Sequence, residues 1–593
     1  MAEYLSPGVY VEEFDSGPAP MQGVGTSTAG FVGLAEKGPV IGAPVFVTGA
    51  ADFARKFGGY LQKSEFGEYR YLAHAVNHFF ANGGARAFVM RVAPPDAKVA
   101  KAGCGKQLTF QAKNPGAWGN GVVVTITPAS KAKTQILAEN ADGIYGFKSV
   151  VDFHVGDVVV LENGGEREFN MIAAMEGSNV TMAKPFSASQ VVDTALLPKV
   201  TVRTCEMFVE VRCGDTVETY DNASFNVTIP NYIEKLMSKS ELVDVTALPG
   251  RDPVDPVDLL RGGSPAPASG LSDDDDDEDA VPAAPASTGG AGTVKLQLSG
   301  GFNGTQSSLT DGDFIGVDNG PGARTGIQAF LDNSDVSLMA VPGIVAPNVQ
   351  LSLVAHCENL GSRFAVLDMP QDAKSVTDIM NHRNIVDSDY CAMYHPWLQV
   401  FDPLDKRDAF IPPSGSVLGI YARSDNTRGV HKAPANETVA NCTGLSVTYN
   451  TAEQDMLNPN GVNLIRRFPG QGIRVWGART ASSKPLWKYV NVRRLFIFLE
   501  ESIKANTNWV VFEPNDELLW IRVRRTIEVF LEGVWKSGAL AGATATDAFF
   551  VNIGSATMTQ DDIDNGRLIC VIGVAPVKPA EFVIFRLTQK TGE

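Results

Sequence analysis

The sequence predicts a multidomain α/β (α+β) chain. Its core is expected from the N-terminal and C-terminal segments around mixed sheets, with a mainly β domain inserted between them and extended strand arms at both ends. Three observations carry this reading. Apolar runs with the character of strands covered on both faces lie on either side of the middle of the chain, at 29–34, 87–92, 336–341 (VSLMAV) and 363–367 (RFAVL). Between about 100 and 300 they give way to short β-rich runs, such as 158–161 and 209–212, separated by turn residues. Near the end, two long stretches carry apolar residues at helical spacing. A length of 593 residues also exceeds what one hydrophobic core holds.

Taken in order, residues 1–20 read as an extended arm. Pro7-Gly8 precedes the β-forming run Val9, Tyr10, Val11, Glu12, Glu13 and Phe14, and Ser16-Gly17-Pro18 stops it. Residues 21–100 read as the N-terminal part of an α/β core. In it a helix over 67–81 places Leu72, Ala75, Val76, Phe79 and Phe80 on one face, and Asn82-Gly83-Gly84 ends it. Residues 101–300 read as the inserted, mainly β outer domain. It ends in a Pro/Ala-rich loop at 262–292 that carries Asp273, Asp274, Asp275, Asp276, Asp277, Glu278 and Asp279. That tract is too poor in apolar surface to offset the entropy of ordering it.

Residues 301–460 read as a middle α/β domain and 461–593 as a C-terminal domain. In the latter, a helix over 492–504 aligns Val492, Leu495, Leu499 and Ile503, with Glu500 and Lys504 as an i,i+4 pair opposite. A helix over 517–536 aligns Leu519, Val523, Ile527, Phe530 and Val534. The last element, Phe582, Val583, Ile584, Phe585, Arg586 and Leu587, is a strand with apolar residues on both sides, and such a strand needs a partner.

Composition narrows the function. A net charge of −17 argues against sequence-independent nucleic-acid binding. No run approaches the ~18–20 apolar residues that span a bilayer. The first residues lack a basic and an apolar signal region, so the expectation is a chain made and assembled in the cytoplasm. Seven scattered cysteines without a CxxC pair read as reduced, mostly buried thiols rather than disulfides or a zinc site.

The search for chemistry assigns no catalytic, cofactor-binding or metal residue. His74 and His78 have the spacing of two zinc ligands, but Ala75 stands where HExxH needs glutamate, so both read as core histidines. Asp311-Gly312-Asp313 lacks the rest of a calcium loop and reads as a turn. Phosphate loop, dinucleotide fingerprint and nucleophile elbow are missing. Arg493, Arg494, Arg522, Arg524 and Arg525 read as a solvated helix surface or a protein-docking one.

Several segments resemble the contractile tail sheath proteins of myophages and phage-derived injection systems. They are the opening Tyr4-Leu5-Ser6-Pro7-Gly8-Val9-Tyr10-Val11-Glu12-Glu13, then Gly23-Val24-Gly25-Thr26-Ser27-Thr28-Ala29-Gly30-Phe31-Val32-Gly33, and Asn114-Pro115-Gly116-Ala117-Trp118-Gly119-Asn120-Gly121. The C-terminal third adds Arg428-Gly429-Val430-His431-Lys432-Ala433-Pro434-Ala435-Asn436 and Arg474-Val475-Trp476-Gly477-Ala478-Arg479-Thr480. Tyr489-Val490-Asn491-Val492-Arg493-Arg494-Leu495 and Phe512-Glu513-Pro514-Asn515 follow. The likeness spans roughly residues 1–130 and 300–593; the acidic tract departs from it.

The resemblance implies a structural, non-enzymatic subunit. It would polymerise in many copies as a helical sheath around an inner tube, between a baseplate and a terminal cap, and contract without nucleotide or cofactor. It implies that the N-terminal arm (Val9 to Phe14) and C-terminal arm (Phe582 to Leu587) add strands to neighbouring subunits, and that Arg522 and Arg525 face an acidic tube. It implies no direct nucleic-acid contact and no membrane insertion. The finished particle would be a phage tail or a phage-like injection particle. Alternatives are a type VI-like or cell-anchored machine, a static shell, and a cytosolic hydrolase with an unrecognised site.

Overall fold

A computed structural model describes residues 21–104, 108–141, 143–163, 166–186, 200–248, 287–289, 292–582 and 584. The N-terminal arm Val9–Phe14, the acidic run and the arm residues Val583, Phe585, Arg586 and Leu587 lie outside the described residues.

A nine-stranded sheet forms the centre. Its order is Val45–Val47, Ala87–Val92, Ala29–Leu34, Leu338–Ala340, Phe364–Asp368, Cys391–His395, Val462–Phe468, Gly472–Val475 and Glu437–Thr438. The six strands from Ala87–Val92 to Val462–Phe468 run parallel, and the edges are antiparallel. Ala29–Leu34 lies between a strand from its own segment and one more than 300 residues later, with Ala29 opposite Ala87 on one side and Leu338 on the other. All six of its residues are buried, as expected for a parallel strand with both faces covered.

The helix expected over 67–81 is shorter, Leu72–Ala81, preceded by a 3₁₀ turn at Gly67–Tyr69. It is buried nearly all round, and Phe80, expected on the core face, is only partly buried. What covers the remaining faces is Ser414–Arg428, a helix that sequence periodicity does not announce. Ten residues from Ser414 to Ser424 are buried, so no polar stripe marks it. The two helices meet backbone to backbone. A Cβ at Gly415 would stand 2.3 Å from the Ala75 carbonyl oxygen, and one at Gly419 would stand 2.4 Å from that of Phe79. Glycine lowers helix propensity, yet only glycine permits this approach.

Between the two halves of the sheet, the described chain from 101 to 297 is almost entirely β. Val122–Ala129 and Glu206–Cys213 are neighbours in a five-stranded sheet, and the chain between them closes a six-stranded barrel. The barrel is thus an insertion within an insertion, with its own core around Ile136, Tyr145, Phe147 and Leu161. Ser287–Gly289 pairs antiparallel with Thr293–Gln297, so a strand stands where the sequence reads as the end of a loop. Asp311–Ile315 is a short helix rather than a turn. The Asp313 carboxylate accepts from the Thr310 backbone N–H at 2.7 Å in a capping box.

The C-terminal helices are Val490–Asn506 and Glu517–Lys536. The latter has the expected bounds and buries the expected stripe, with Leu531 added. It packs against Leu495 and Leu499 on one side and a two-stranded antiparallel sheet, Phe549–Ile553 with Cys570–Val574, on the other. Lys504 pairs with Glu501 at 3.3 Å, the i,i+3 spacing, rather than with Glu500 at i,i+4; both spacings are neighbours on a helix.

The core also holds neutral histidines. His78 Nδ1 lies 3.1 Å from Ser416 Oγ, and His395 Nε2 lies 2.8 Å from the Tyr449 hydroxyl. His356 Nε2 accepts from Arg363 at 3.0 Å. Burial lowers each of these imidazoles to about 4, with Arg363 adding to the effect at His356. Unfolding returns them to near 6.5, so the unfolded chain takes up protons that the folded chain refuses. The stability these neutral rings confer is complete above about pH 6.5 and is lost as pH falls toward 4. Asp368 opposes this, since burial raises its carboxyl to about 6 against donors from Gly343 and Ser414. Burial also raises Glu206 and Glu500, but it lowers His74, His382 and His431 too, so the imidazoles outnumber the carboxyls that oppose them. Urea unfolding at pH 7.5, 6 and 5 should therefore show steadily falling stability. His78→Gln should flatten the slope by up to about 1.4 kcal/mol per pH unit between pH 6 and 5, the linkage of one proton, and by less above pH 6.5.

Candidate functional site

The residues that organise the C-terminal region start from two buried arginines. The sequence reading gave Arg493 and Arg494 to a helix surface; both are buried, at 6% and 4% exposure. Arg494 makes a bidentate pair with Asp425, Nη1 to Oδ1 at 2.9 Å and Nη2 to Oδ2 at 2.5 Å. Nη2 also donates to the Thr26 carbonyl at 2.9 Å, and the Thr26 hydroxyl donates to Asp425 at 2.6 Å. Three distant segments thus meet on one ion pair: the chain entering at 21–28, the buried Ser414–Arg428 helix and the Val490–Asn506 helix. Arg493 pairs with Asp389 and stacks over the Trp487 ring at 3.6 Å and the Tyr390 ring at 4.5 Å. Nothing at the level of periodicity marks these two arginines as buried, because their acidic partners lie 69 and 104 residues away.

Below this hub the incoming chain lies along the Val490–Asn506 helix. Ser502 Oγ accepts from Val24 N–H at 3.1 Å, and Asn506 exchanges hydrogen bonds with both backbone groups of Gln22. Clefts of about 350 and 450 Å³ flank this strap, both touching Val24, Thr26 and Phe498. The strap has no room to spare, since a Cβ at Gly23 would meet the Phe498 ring at 2.7 Å.

Two surfaces remain open. The two-stranded sheet packs Val551 and Ile553 inward, while Phe550 and Val571 are about half exposed. Among the described residues no third strand joins it. A two-stranded sheet is marginal alone, and its free edges present unpaired backbone donors and acceptors. The second surface is the outer face of Glu517–Lys536. Leu518, Ile521 and Val529 are exposed there, together with Arg522 and Arg525. Arg522 pairs with Glu513 at 3.2 Å and lies over Trp509; Arg524, grouped with them by sequence, instead turns to the Ile553 carbonyl at 2.5 Å. Phe512 beside them is fully exposed with φ +69°, an uncommon conformation for an aromatic residue. At the end of the described chain, Phe582 and Ile584 are exposed as well.

Among the described residues, no group of three or more His, Cys, Asp or Glu could hold a metal ion. His74 lies 3.6 Å from Asp402, whose carboxylate accepts from Arg70 at 2.7 Å, and all three are buried. No helix of the described residues is long and apolar enough to cross a membrane.

Residues 318–481 match the family model of the phage tail sheath protein central domain, and residues 482–590 that of the phage tail sheath C-terminal domain. The tail sheath protein of Escherichia phage P2 is 24% identical over 294 residues, covering 48% of this chain and 72% of that protein. The tail sheath protein of Salmonella phage ViI is 25% identical over 211 residues, 31% of this chain, and the chain spans only 33% of that relative's length. A chain in the cryo-EM structure of the anti-feeding prophage baseplate is 33% identical, covering 46% of this chain and 77% of that one, at a TM-score of 0.39. The contracted sheath complex of PVC, an extracellular contractile injection system, shares the fold over the whole chain and 99% of its own, at TM-score 0.50 and 20% identity.

Removing one member of the hub leaves a charge buried and unpaired. Arg494→Ala should destabilise the fold by about 3–5 kcal/mol, and the double variant Arg494→Met with Asp425→Leu should recover most of that loss. Denaturant unfolding followed by tryptophan fluorescence checks both.

Proposed function

The chain belongs to the phage tail sheath family, and from that membership we propose that it is the subunit of a contractile sheath, polymerising helically around an inner tube and contracting to drive that tube through a target envelope. The observation that carries the reading is the exposed two-stranded sheet Phe549–Ile553/Cys570–Val574. A closed, self-sufficient domain would cover such edges; a sheath subunit uses them. The strand-forming segments Val9–Phe14 and Phe582–Leu587 of neighbouring copies supply the missing strands, since main-chain pairing gives fixed register between subunits. Each copy then donates and accepts, and a contact of this head-to-tail kind propagates into a helix rather than closing on itself.

The remaining assignments follow the same logic. Residues 1–20 are the N-terminal arm, 21–100 the N-terminal part of the core, 101–300 the outer domain, 301–460 the middle α/β domain, and 461–593 the C-terminal sheath domain, whose first strands, Val462–Phe468 and Gly472–Val475, complete the central sheet. The exposed face of Glu517–Lys536 supports Arg522 and Arg525 as contacts to an acidic inner tube, with the exposed Leu518 and Ile521 beside them. The chain acts by mechanics, not catalysis. Its extended lattice is held by the tube and by a baseplate, and triggering releases subunits to rotate as rigid bodies into a lattice of greater contact. A few kcal/mol per subunit, multiplied over many copies, suffices to move the tube. Assembly takes place in the cytoplasm, and the product is a phage tail or phage-like injection particle.

Negative-stain electron microscopy tests this directly. The full chain should form hollow tubes of uniform width, and deleting either residues 1–20 or 582–593 should abolish them. Discrete small particles from the intact chain would overturn the sheath reading. Arg522→Glu with Arg525→Glu should leave tube-free sheaths intact but reduce co-assembly with the inner tube about ten-fold or more, as reversal of paired interfacial charges does.

A further inference from the structure

The two arms take root beside opposite ends of the same helix, Val490–Asn506. The N-terminal strap is fastened at the far end, where Asn506 holds both backbone groups of Gln22. The C-terminal chain returns to the near end. After the strand Cys570–Val574 it passes Leu540 and Ala541, and Asn491 donates to the Val577 carbonyl at 3.3 Å. It then stops on one carboxylate. Glu581 takes both forks of Arg479, Nε to Oε1 at 2.7 Å and Nη2 to Oε2 at 2.6 Å. It also accepts from Asn458 at 2.8 Å and from the Tyr489 hydroxyl at 3.1 Å. The very next residue, Phe582, is exposed.

This clamp is built for a fixed exit. Arg479 is 6% exposed, and its partner comes from 102 residues later. Arg479 is itself seated by Asn463, whose side-chain oxygen accepts from the Arg479 N–H at 2.7 Å and whose amide donates to the Arg479 carbonyl at 2.8 Å. Burial works against the Glu581 charge, yet the donors Arg479, Asn458 and Tyr489 outweigh it and hold the carboxyl below its ordinary range. A bidentate, charge-assisted pair fixes direction as well as position. The helix between the two roots is one rigid body, pinned to the core by Arg493 and Arg494, and about 25 Å long at 1.5 Å per residue.

We propose that Val490–Asn506 is a yoke that sets the spacing between the roots of the two arms, and that Glu581 is the positioning residue that fastens the C-terminal arm beside the near end of that helix, on Arg479, Asn458 and the hydroxyl of its N-cap residue Tyr489. The inference rests on the sheath reading. With the clamp closed, a displacement of one arm moves the other through a single helix, so neighbouring subunits are coupled in register. With it open, the C-terminal arm starts from a loose strap and the lattice loses that register.

The test uses the full chain with two variants, Glu581→Gln and the double variant Arg479→Leu with Glu581→Leu, the latter leaving no buried charge behind. Hydrogen–deuterium exchange is measured on the unassembled chain, thermal unfolding on the same samples, and sheath yield by electron microscopy. In the double variant, exchange over 576–582 should rise about ten-fold or more while the Val490–Asn506 helix stays protected. Its unfolding midpoint should remain near wild type, and sheath yield should fall about ten-fold, with Glu581→Gln intermediate because it keeps an acceptor for Arg479. Wild-type sheath yield from a variant with fast exchange would overturn the proposal. So would lost yield with exchange over 576–582 unchanged. If the wild-type chain itself forms no sheath, the underlying function falls instead, and the two failures are told apart by that control.

Discussion

The pair between Arg494 and Asp425 is the contact on which the arrangement of this chain depends. A buried ion pair is a weak source of net stability, because desolvating two charges offsets most of their attraction. Its value here lies in what it forbids. Once Ser414–Arg428 is locked against Leu72–Ala81 by the close approach at Gly415 and Gly419, the Asp425 side chain is a buried carboxylate at a fixed point. Any placement of the C-terminal helix that does not bring Arg494 to it leaves a charge unpaired in the core. The Thr26 carbonyl and hydroxyl add the incoming chain to the same condition. One ion pair therefore orients the N-terminal strap, the central sheet and the C-terminal helices together.

The topology keeps this centre separate from the outer parts. The five-stranded sheet and the barrel are spliced between Ala87–Val92 and Leu338–Ala340, and each has an apolar core of its own. Such nested insertions leave the central sheet to be completed by the parallel pairing of Ala29–Leu34 with Leu338–Ala340. The inserted domains can then vary without disturbing that pairing, whereas the C-terminal region cannot. Its helices, strap and two-stranded sheet share one apolar cluster, to which Met21 and Val430 also contribute. The division is between a centre joined by buried ion pairs and inserted domains that each rest on a core of their own.

Much of this was legible in the residues. Glu517–Lys536 could be read to its bounds because one face is an unbroken apolar stripe while the charged residues, among a few exposed apolar ones, lie opposite, which is the condition periodicity detects. The strands at 29–34 and 87–92 were legible as unbroken apolar runs. The helix Ser414–Arg428 was not, because burial on all sides removes the polar stripe and glycine lowers its apparent propensity. Arg493 and Arg494 were misread for a related reason: an arginine in a helix looks solvated until the carboxylate that pairs with it is known. Arg522 and Arg525, on the same type of helix, are exposed as read.

By itself the sequence determined the class of the chain, the β character of its middle, its longest amphipathic helix and its likeness to tail sheath proteins. All of these are written in local pattern and ordered motif. Only the tertiary structure decided that Arg494 answers to Asp425, that Gly415 and Gly419 admit a neighbouring helix, and that Glu581 closes on Arg479. Each of those joins residues with no local signature, across separations of 69, 102 or more than 300 positions. Their meaning is set by who meets whom in space, and that pairing is a property of the fold.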